Sequence, residues 1–489
     1  MSNVNKYADF VFGRKTRERL LLILLSIVFC FGCKKLVSIP EPLNSITTAE
    51  VFSNDAQANS AMAGVYAYLN QQYGLSFADG SVTLYCGMSA DEVINFAGPN
   101  NTNDYQFYDN NLVSNNSVVA TSFWQQPYYS IYQTNAIISG LNNSGGIDDS
   151  TKNELLGEAY FIRAFSNFYL ANMFGNVPLV LTINYNKTSS LSRTDTATIY
   201  NQIINDLKQA QLLLRSDYSY ILADGERIIP NKWAATALLA RVYLYQQDWA
   251  GAYAQSNSII NDNQDYSLVS NLANVFNANS SEAIWQLKQN TNAANGNATA
   301  EGLLFVPSFS FFSPKYYLSR SLINGFEPND LRFATWIDST NYRGTIYYYP
   351  YKYTIGPRQK AYGGTAPTQY YMILRLAEQY LIRAESEAHG QGGGVNNAIS
   401  DINAIRNRSG LSNTLASTQS EIESAIIQER RVELFCEWGH RWMDLKRWGN
   451  ATTVLTVNKN INIDAHDLLY PIPQNEIIND PNLQQNPGY

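Results

Sequence analysis

The stretch Gln428–Gly449, QERRVELFCEWGHRWMDLKRWG, decides how the rest of the chain is read. Trp438, Trp442 and Trp448 stand in it among alternating acids and bases. Ile422, Ile426 and Ile427 lead into it at helical spacing. Glu429 and Glu433 lie one turn apart, as do Glu437 with Arg441 and Arg441 with Asp444. That spacing predicts charged partners side by side on one helix. Such a mixture of rings and paired charges is either a catalytic centre or a buried, fully paired structural knot, and the knot is the reading carried forward. His440 has no cysteine or carboxylate set of metal-binding pattern around it, so no metal is expected there.

The same stretch resembles the C-terminal signature of the SusD/RagB family of nutrient-binding outer-membrane lipoproteins, E-R-R-x-E-L-x-x-E-G-x-R-W-x-D-L-x-R-W. Glu429, Arg430, Arg431, Glu433, Leu434, Glu437, Gly439, Arg441, Trp442, Asp444, Leu445, Arg447 and Trp448 match it, with Trp438 as an extra residue between Glu437 and Gly439. The ending Leu469–Tyr489, LYPIPQNEIINDPNLQQNPGY, is similar to that family's closing segment.

At the other end, Arg14–Arg19 precede the apolar run Leu20–Phe31, which has the length of a signal-peptide core and is too short to span a bilayer. It runs into Gly32-Cys33, which resembles a bacterial lipobox, so residues 1–32 are expected to be a leader and Cys33 the lipidated first residue. Residues 33–47 read as a tether, with Pro40 and Pro42 opposing helix. Lys34 and Lys35 follow the cysteine where surface-exported relatives often carry acids, so surface display is an expectation from the resemblance alone. The formal charge is −7 for 489 residues; residues 1–32 carry a net +3, which leaves −10 for the rest. An acidic body argues against nucleic acid. Outside the leader only Cys86 and Cys436 remain, too few for a disulfide framework or a zinc site.

Between these ends the chain repeats itself. LGEAYFIRA (Leu156–Ala164), LARVYLYQQ (Leu239–Gln247) and LAEQYLIRA (Leu376–Ala384) share a leucine, a small residue and a tyrosine at fixed offsets, and Arg163 coincides with Arg383. This is the first half of a tetratricopeptide repeat: Gly157, Ala240 and Ala377 admit a second helix, and Tyr160, Tyr243 and Tyr380 fill the space beside it. Asp248 is placed to cap the second helix of the middle copy. Further helices are expected over Thr48–Gln72, capped by Thr47 or Thr48, and over Ser122–Leu141, Thr198–Leu214 and Val395–Asn407. The predicted fold is mainly α, about four tetratricopeptide-like helix pairs with two irregular segments and minor β, divided into residues 48–300 and 301–489.

The irregular segments are Gly74–Ala120 and Leu303–Thr365, both rich in aromatics, and Tyr347–Tyr353 has strand character. Loops this long inside a compact protein usually carry function. For ligand binding they offer Phe96, Tyr105 and Tyr108 with Asn100 and Asn101 from the first, and Phe311, Phe312, Tyr316 and Tyr317 from the second. The rings would stack on the apolar faces of sugars and the amides would satisfy hydroxyls. No phosphate loop, nucleophile elbow or His-Glu-x-x-His occurs. Of the carboxylate pairs a glycosidase needs, Asp91-Glu92 is the most suggestive, but adjacent side chains diverge. No catalytic residue, cofactor or metal is expected. The resemblance implies a lipid-anchored outer-membrane protein that captures nutrients, usually oligosaccharides and for some members peptides, and delivers them to a TonB-dependent β-barrel of the SusC type. The alternatives are a lipid-anchored scaffold that binds only protein, and a glycan hydrolase.

Overall fold

A computed structural model describes residues 48–70, 75–219, 225–261, 265–291, 294–309 and 311–489. The expected leader, Cys33 and tether lie outside the described residues.

Helix α1 (Asp55–Leu69) is followed by two shorter helices, α2 (Ser81–Ser89) and α3 (Thr102–Tyr108), before α4 (Gln126–Asn143) packs back on α1. Then α5 (Asp149–Phe174) packs on α6 (Thr196–Leu213), and α7 (Lys232–Tyr245) on α8 (Trp249–Ile260). Last, α9 (Leu376–Ala388) packs on α10 (Val395–Arg408). Each pair also touches the next, α4 on α5, α6 on α7 and α8 on α9, so the pairs stack as tetratricopeptide repeats do. Helix α11 (Gln419–Glu433) covers α9 and α10, and α12 (His440–Arg447) and α13 (Ala451–Lys459) follow it, with α12 against α2. Val51–Tyr489 is a single compact unit.

The repeat motif does what its residue types predict. A Cβ on Gly157 would lie 2.7 Å from Leu214 at the end of α6, so only glycine admits that approach. The Tyr243 ring lies against Gly251 of α8, where an added Cβ would meet it at 2.8 Å. Asp248 caps α8 by accepting from the Gly251 N–H at 2.9 Å. The coincident arginines act alike. Arg163 forks onto Asp206 of α6 at 2.8 and 2.7 Å and donates to Asn135 of α4 at 2.8 Å. Arg383 forks onto Asp401 of α10 at 2.7 Å twice and donates to Asn257 of α8 at 2.8 Å. Each arginine thus ties its own pair together and joins it to the pair before.

Among the described residues, three short two-stranded antiparallel sheets complete the architecture. Strand β1 (Val93–Asn95) pairs with β3 (Tyr316–Leu318), β2 (Ala283–Leu287) with β6 (Tyr371–Arg375), and β4 (Ile337–Tyr342) with β5 (Thr345–Pro350). Aromatic rings hold the centre of the core. Phe165 of α5 meets Trp285 of β2 at 5.5 Å and Trp438 at 5.4 Å, and Tyr371 of β6 stacks on Trp438 at 5.2 Å.

Three expectations need correction. The cap near the start of the first long helix is Asn54, whose side chain accepts from Gln57 N, because the chain turns extended there after the four-residue helix Thr48–Val51. The first irregular segment contains α2, which is buried on every face and therefore shows no apolar periodicity. The signature stretch is not one continuous helix: α11 ends at Glu433, and Cys436, Trp438 and Gly439 take φ of 48°, 46° and 70° before α12 begins. A Cβ at Gly439 would sit 2.8 Å from that of Cys86, so the turn is pressed against α2.

Candidate functional site

The two irregular segments meet through β1 and β3, whose paired residues lie more than two hundred positions apart in sequence. Asn95 faces Tyr316, Ile94 faces Tyr317 and Val93 faces Leu318 across the ladder. The Phe96 N–H extends the pairing by donating to the Lys315 carbonyl at 3.0 Å. Hairpin β4–β5 turns at Arg343-Gly344, both at positive φ, and its second strand packs on β3. Alternation then sorts the rings. Phe96 touches Tyr317 at 6.5 Å, Tyr342 at 5.7 Å and Tyr347 at 5.4 Å, and Tyr317 meets Tyr347 edge-on at 5.0 Å. All four rings are half-buried. Burial pushes the Tyr317 hydroxyl up, and Tyr108 and Tyr347 add to the rise. Tyr105 lies 6.0 Å from Tyr108, and the Lys459 ammonium sits 4.9 Å from the Tyr108 ring centre.

The expected ligand residues therefore divide. Phe96, Tyr105, Tyr108 and Tyr317 are half-buried rings at or beside one face. Phe311 and Phe312 are 63% and 47% exposed and form a separate knuckle with Phe309. Tyr316 is a correction: it is 1% exposed, and its hydroxyl donates to Asp104 at 2.6 Å. The strand turns successive side chains to opposite faces, so Tyr316 points in where Tyr317 points out. Asn101 also donates to Asp104, at 2.7 Å, and Asn95 does so at 2.9 Å, so Asn101 helps to anchor the loop while Asn100 is exposed. Sequence reading missed Tyr342 and Tyr347 as members of the face. The turn residues Asn341–Gly344 between two tyrosine-bearing runs were the available signal.

The charged block is paired from within. Arg375 reaches Glu433 at 2.6 Å and Glu437 at 2.7 Å, and Arg332 reaches Asp330, Glu429 and Glu433 at 2.8, 3.0 and 3.1 Å. Arg408 bonds Glu282 and Glu433. Lys352 donates to Glu437 and to the Glu433 and Phe435 carbonyls, with its ammonium 4.0 Å from the Phe435 ring centre. Glu437 and Arg441 are not partners, and neither are Arg441 and Asp444: Arg441 grips Asp91 at 2.7 and 3.1 Å, while Asp444 takes Arg430 and Arg447 at 2.7 Å each. The helix break re-aims these side chains at segments far away in sequence.

Asp91 and Glu92 have opposite fates. Burial alone would push Asp91 up, but Arg441, then Arg431, and the Asn458 amide hold it well below the usual carboxylate range. Burial pushes Glu92 up to about 8, and the charge of Asp91 adds to the rise. Cys86 and Cys436 are buried free thiols, both pushed up by burial. Among the described residues no group of three or more histidine, cysteine or carboxylate side chains is arranged to hold a metal.

A cleft elsewhere escaped sequence reading. A cleft of about 490 Å³ lies between α4 and the C-terminal segment, lined by Trp124, Tyr128, Tyr129, Tyr132, Tyr185 and Glu476. Its rings stand mostly on a helix, where aromatic residues read as core.

Two family models match the chain: one described as the SusD family over residues 332–489, and one described as starch-binding associating with outer membrane over residues 50–244. SusD-like protein P2 of Formosa agariphila is 26% identical over 532 aligned positions, covering 97% of this chain and all of that protein. Starch-binding protein SusD of Bacteroides thetaiotaomicron is 35% identical over 136 positions, 26% of this chain and 22% of its own. Among solved structures, a SusD superfamily protein from Bacteroides vulgatus superposes with a TM-score of 0.76 at 21% identity, covering 89% of this chain and 99% of that one. A laminarin-binding SusD-like protein superposes at 0.75 and 23% identity, covering 89% of this chain and all of that one.

Proposed function

The chain belongs to the SusD/RagB family, and we propose that it is a glycan-binding lipoprotein of the outer membrane that captures oligosaccharides and hands them to a TonB-dependent β-barrel of the SusC type. Residues 1–32 are its leader, Cys33 its lipid anchor, 33–47 its tether, and the rest the binding body, with residues 48–300 and 301–489 as its N- and C-terminal regions. The observation that carries the ligand-binding part is the meeting of the two irregular segments, which gathers Phe96, Tyr317, Tyr342 and Tyr347 into one half-buried face. The names of a starch-binding relative and a laminarin-binding structural neighbour support a sugar ligand. Binding rather than hydrolysis is favoured because the carboxylates of the charged block are held by arginine and lysine.

Two or three sugar–ring stacks of about 0.5–1.5 kcal/mol each beyond buried area, with a few hydrogen bonds, net about −4 to −6 kcal/mol. That is a dissociation constant of roughly 1 mM to tens of µM. Such capture is effective when the binder is tethered beside its transporter. Calorimetric titration with a panel of neutral and acidic oligosaccharides and peptides tests the reading, with a Phe96→Ala, Tyr347→Ala double variant alongside. Binding of a glycan that the folded double variant loses is expected. A peptide as the sole ligand, or full affinity in the variant, overturns it.

A further inference from the structure

Three cations of the second irregular segment each lie beside a ring, and among the described residues no carboxylate is paired with them. The Lys315 ammonium lies 5.2 Å from the Tyr316 ring centre, and the Arg343 guanidinium 5.1 Å from that of Tyr342, which itself touches Phe96. Arg358 lies 4.4 Å over Phe309, in the exposed phenylalanine knuckle, and the carbonyl of Phe312 accepts from Thr340 of β4. All three cationic residues are exposed, and among the described residues none of them is paired with a carboxylate. Apart from Asp109, which caps the end of α3 beside Tyr108, the nearby acids are taken up elsewhere. Asp104 accepts from Asn95, Asn101 and Tyr316, and Asp91 is gripped by Arg441 and Arg431. Asp330 binds Arg332, Glu327 binds Arg406, and Asp338 accepts from Tyr349.

These cations stand on a chain whose formal charge without residues 1–32 is −10. A neutral sugar's hydroxyls can accept from these cations, but only an anionic group also neutralises their charge. Stacking on an aromatic face holds a guanidinium in place while leaving its N–H donors free. Those donors match a carboxylate or sulfate in geometry and charge. We infer that the ligand of this face is an acidic oligosaccharide, its sugar rings on Phe96, Tyr317 and Tyr347 and its anionic groups on Lys315, Arg343 and Arg358. This inference rests on the glycan-binding reading above and narrows it to one class.

The test uses affinity electrophoresis and calorimetry on the protein without its leader. Polygalacturonate supplies carboxylates and carrageenan supplies sulfates. Carboxyl-reduced polygalacturonate and desulfated carrageenan supply the same backbones without charge. At least one acidic polymer is expected to bind, and its neutral counterpart to bind at least tenfold more weakly. Raising the salt should weaken the acidic complex, because exposed charges are screened. Arg343→Ala with Arg358→Ala should weaken it roughly three- to tenfold, and Arg343→Glu with Arg358→Glu should abolish it without changing the melting temperature. Which polymer binds distinguishes carboxylate from sulfate recognition. Equal binding of a polymer and its neutral counterpart, unaffected by salt and by the glutamate variants, overturns the acidic class and leaves the glycan reading standing. Binding of no polysaccharide of either kind overturns both.

Discussion

Two regions of this molecule are dense in residues that usually mark chemistry, the charged block around Arg375 and the aromatic face around Phe96. In the block every principal charge is buried and meets an opposite charge at hydrogen-bond distance: Arg332, Arg375, Arg408 and Lys352 share Glu282, Glu429, Glu433 and Glu437. In the face the rings touch one another and stay half-buried, and among the described residues no carboxylate pairs with the Arg343 guanidinium beside them. Density of reactive residue types is common to both regions. What separates them is whether the partners are already inside the chain. A site saturated from within holds the fold together; a site with free valence is open to a ligand.

The sharpest way to break that distinction is to open the block. Arg375→Ala leaves Glu433 and Glu437 short of a buried partner, and such a loss costs about 3–5 kcal/mol. A large fall in melting temperature, or no folded product, is expected. The charge-preserving Arg375→Lys should recover part of the loss, since an ammonium cannot reproduce the two-pronged contact. Thermal unfolding of both variants checks this. A variant that melts like the parent and loses only ligand binding would make the block a site.

Within the block, Glu92 and Asp91 offer a comparison of adjacent carboxylates. Glu92 is held up near 8 by burial, far above its value in the unfolded chain. A raised carboxylate contributes stability that is fully present below the unfolded value and is lost as the pH rises through the folded value. Glu92 should therefore favour folding at about pH 4 and do so progressively less up to about pH 8. Glu92→Gln mimics the protonated form and removes that dependence. The variant should match the parent closely in acid and exceed it by up to a few kcal/mol near pH 8. Denaturant unfolding at pH 5, 6.5 and 8 isolates this group, because the other titrating residues are common to both chains. Parallel pH profiles would mean that Glu92 is ionised in the folded protein.

The helical repeats were legible because their signal is local. A glycine or alanine at one offset, a tyrosine three residues on and an arginine beyond report contacts made within one pair or with the next, as Gly157, Tyr243 and Arg163 do. The charged block was legible as a structural knot, but its pairings were not. Spacing along one helix suggested Glu437 with Arg441, whereas the break at Cys436–Gly439 sends Arg441 to Asp91, some 350 residues away in sequence. The aromatic face was legible as two separate lists of loop residues. Nothing local says that β1 pairs with β3, and the ladder alone decides which rings point outward. Tyr342 and Tyr347 belong to a hairpin whose turn was legible, but its packing on β3 was not; the cleft at Tyr128 was lost because its rings on α4 look like core.

The smallest expected effects come from two successive residues of β3, and they set the boundary between the two regions most finely. Tyr316 and Tyr317 have the same side chain on opposite sides of one strand. The Tyr316 hydroxyl donates to Asp104 at 2.6 Å in the interior. Tyr316→Phe deletes a hydrogen bond to a charged group and leaves the Asp104 carboxylate one donor short, at a cost of about 1.5–3 kcal/mol. Ligand affinity should hardly change, because the ring never reaches the face. Tyr317→Phe keeps the ring contact with Tyr347 at 5.0 Å, and among the described residues the Tyr317 hydroxyl makes no hydrogen bond like that of Tyr316. Stability should therefore stay within about 0.5 kcal/mol. Affinity should fall by less than tenfold, since the stacking surface remains and only one polar group is lost. Paired melting curves and titrations on the two variants read both quantities at once. If Tyr317→Phe destabilises the protein as much as Tyr316→Phe, the face is packed like the core and the separation drawn here between saturated and open regions fails at its edge.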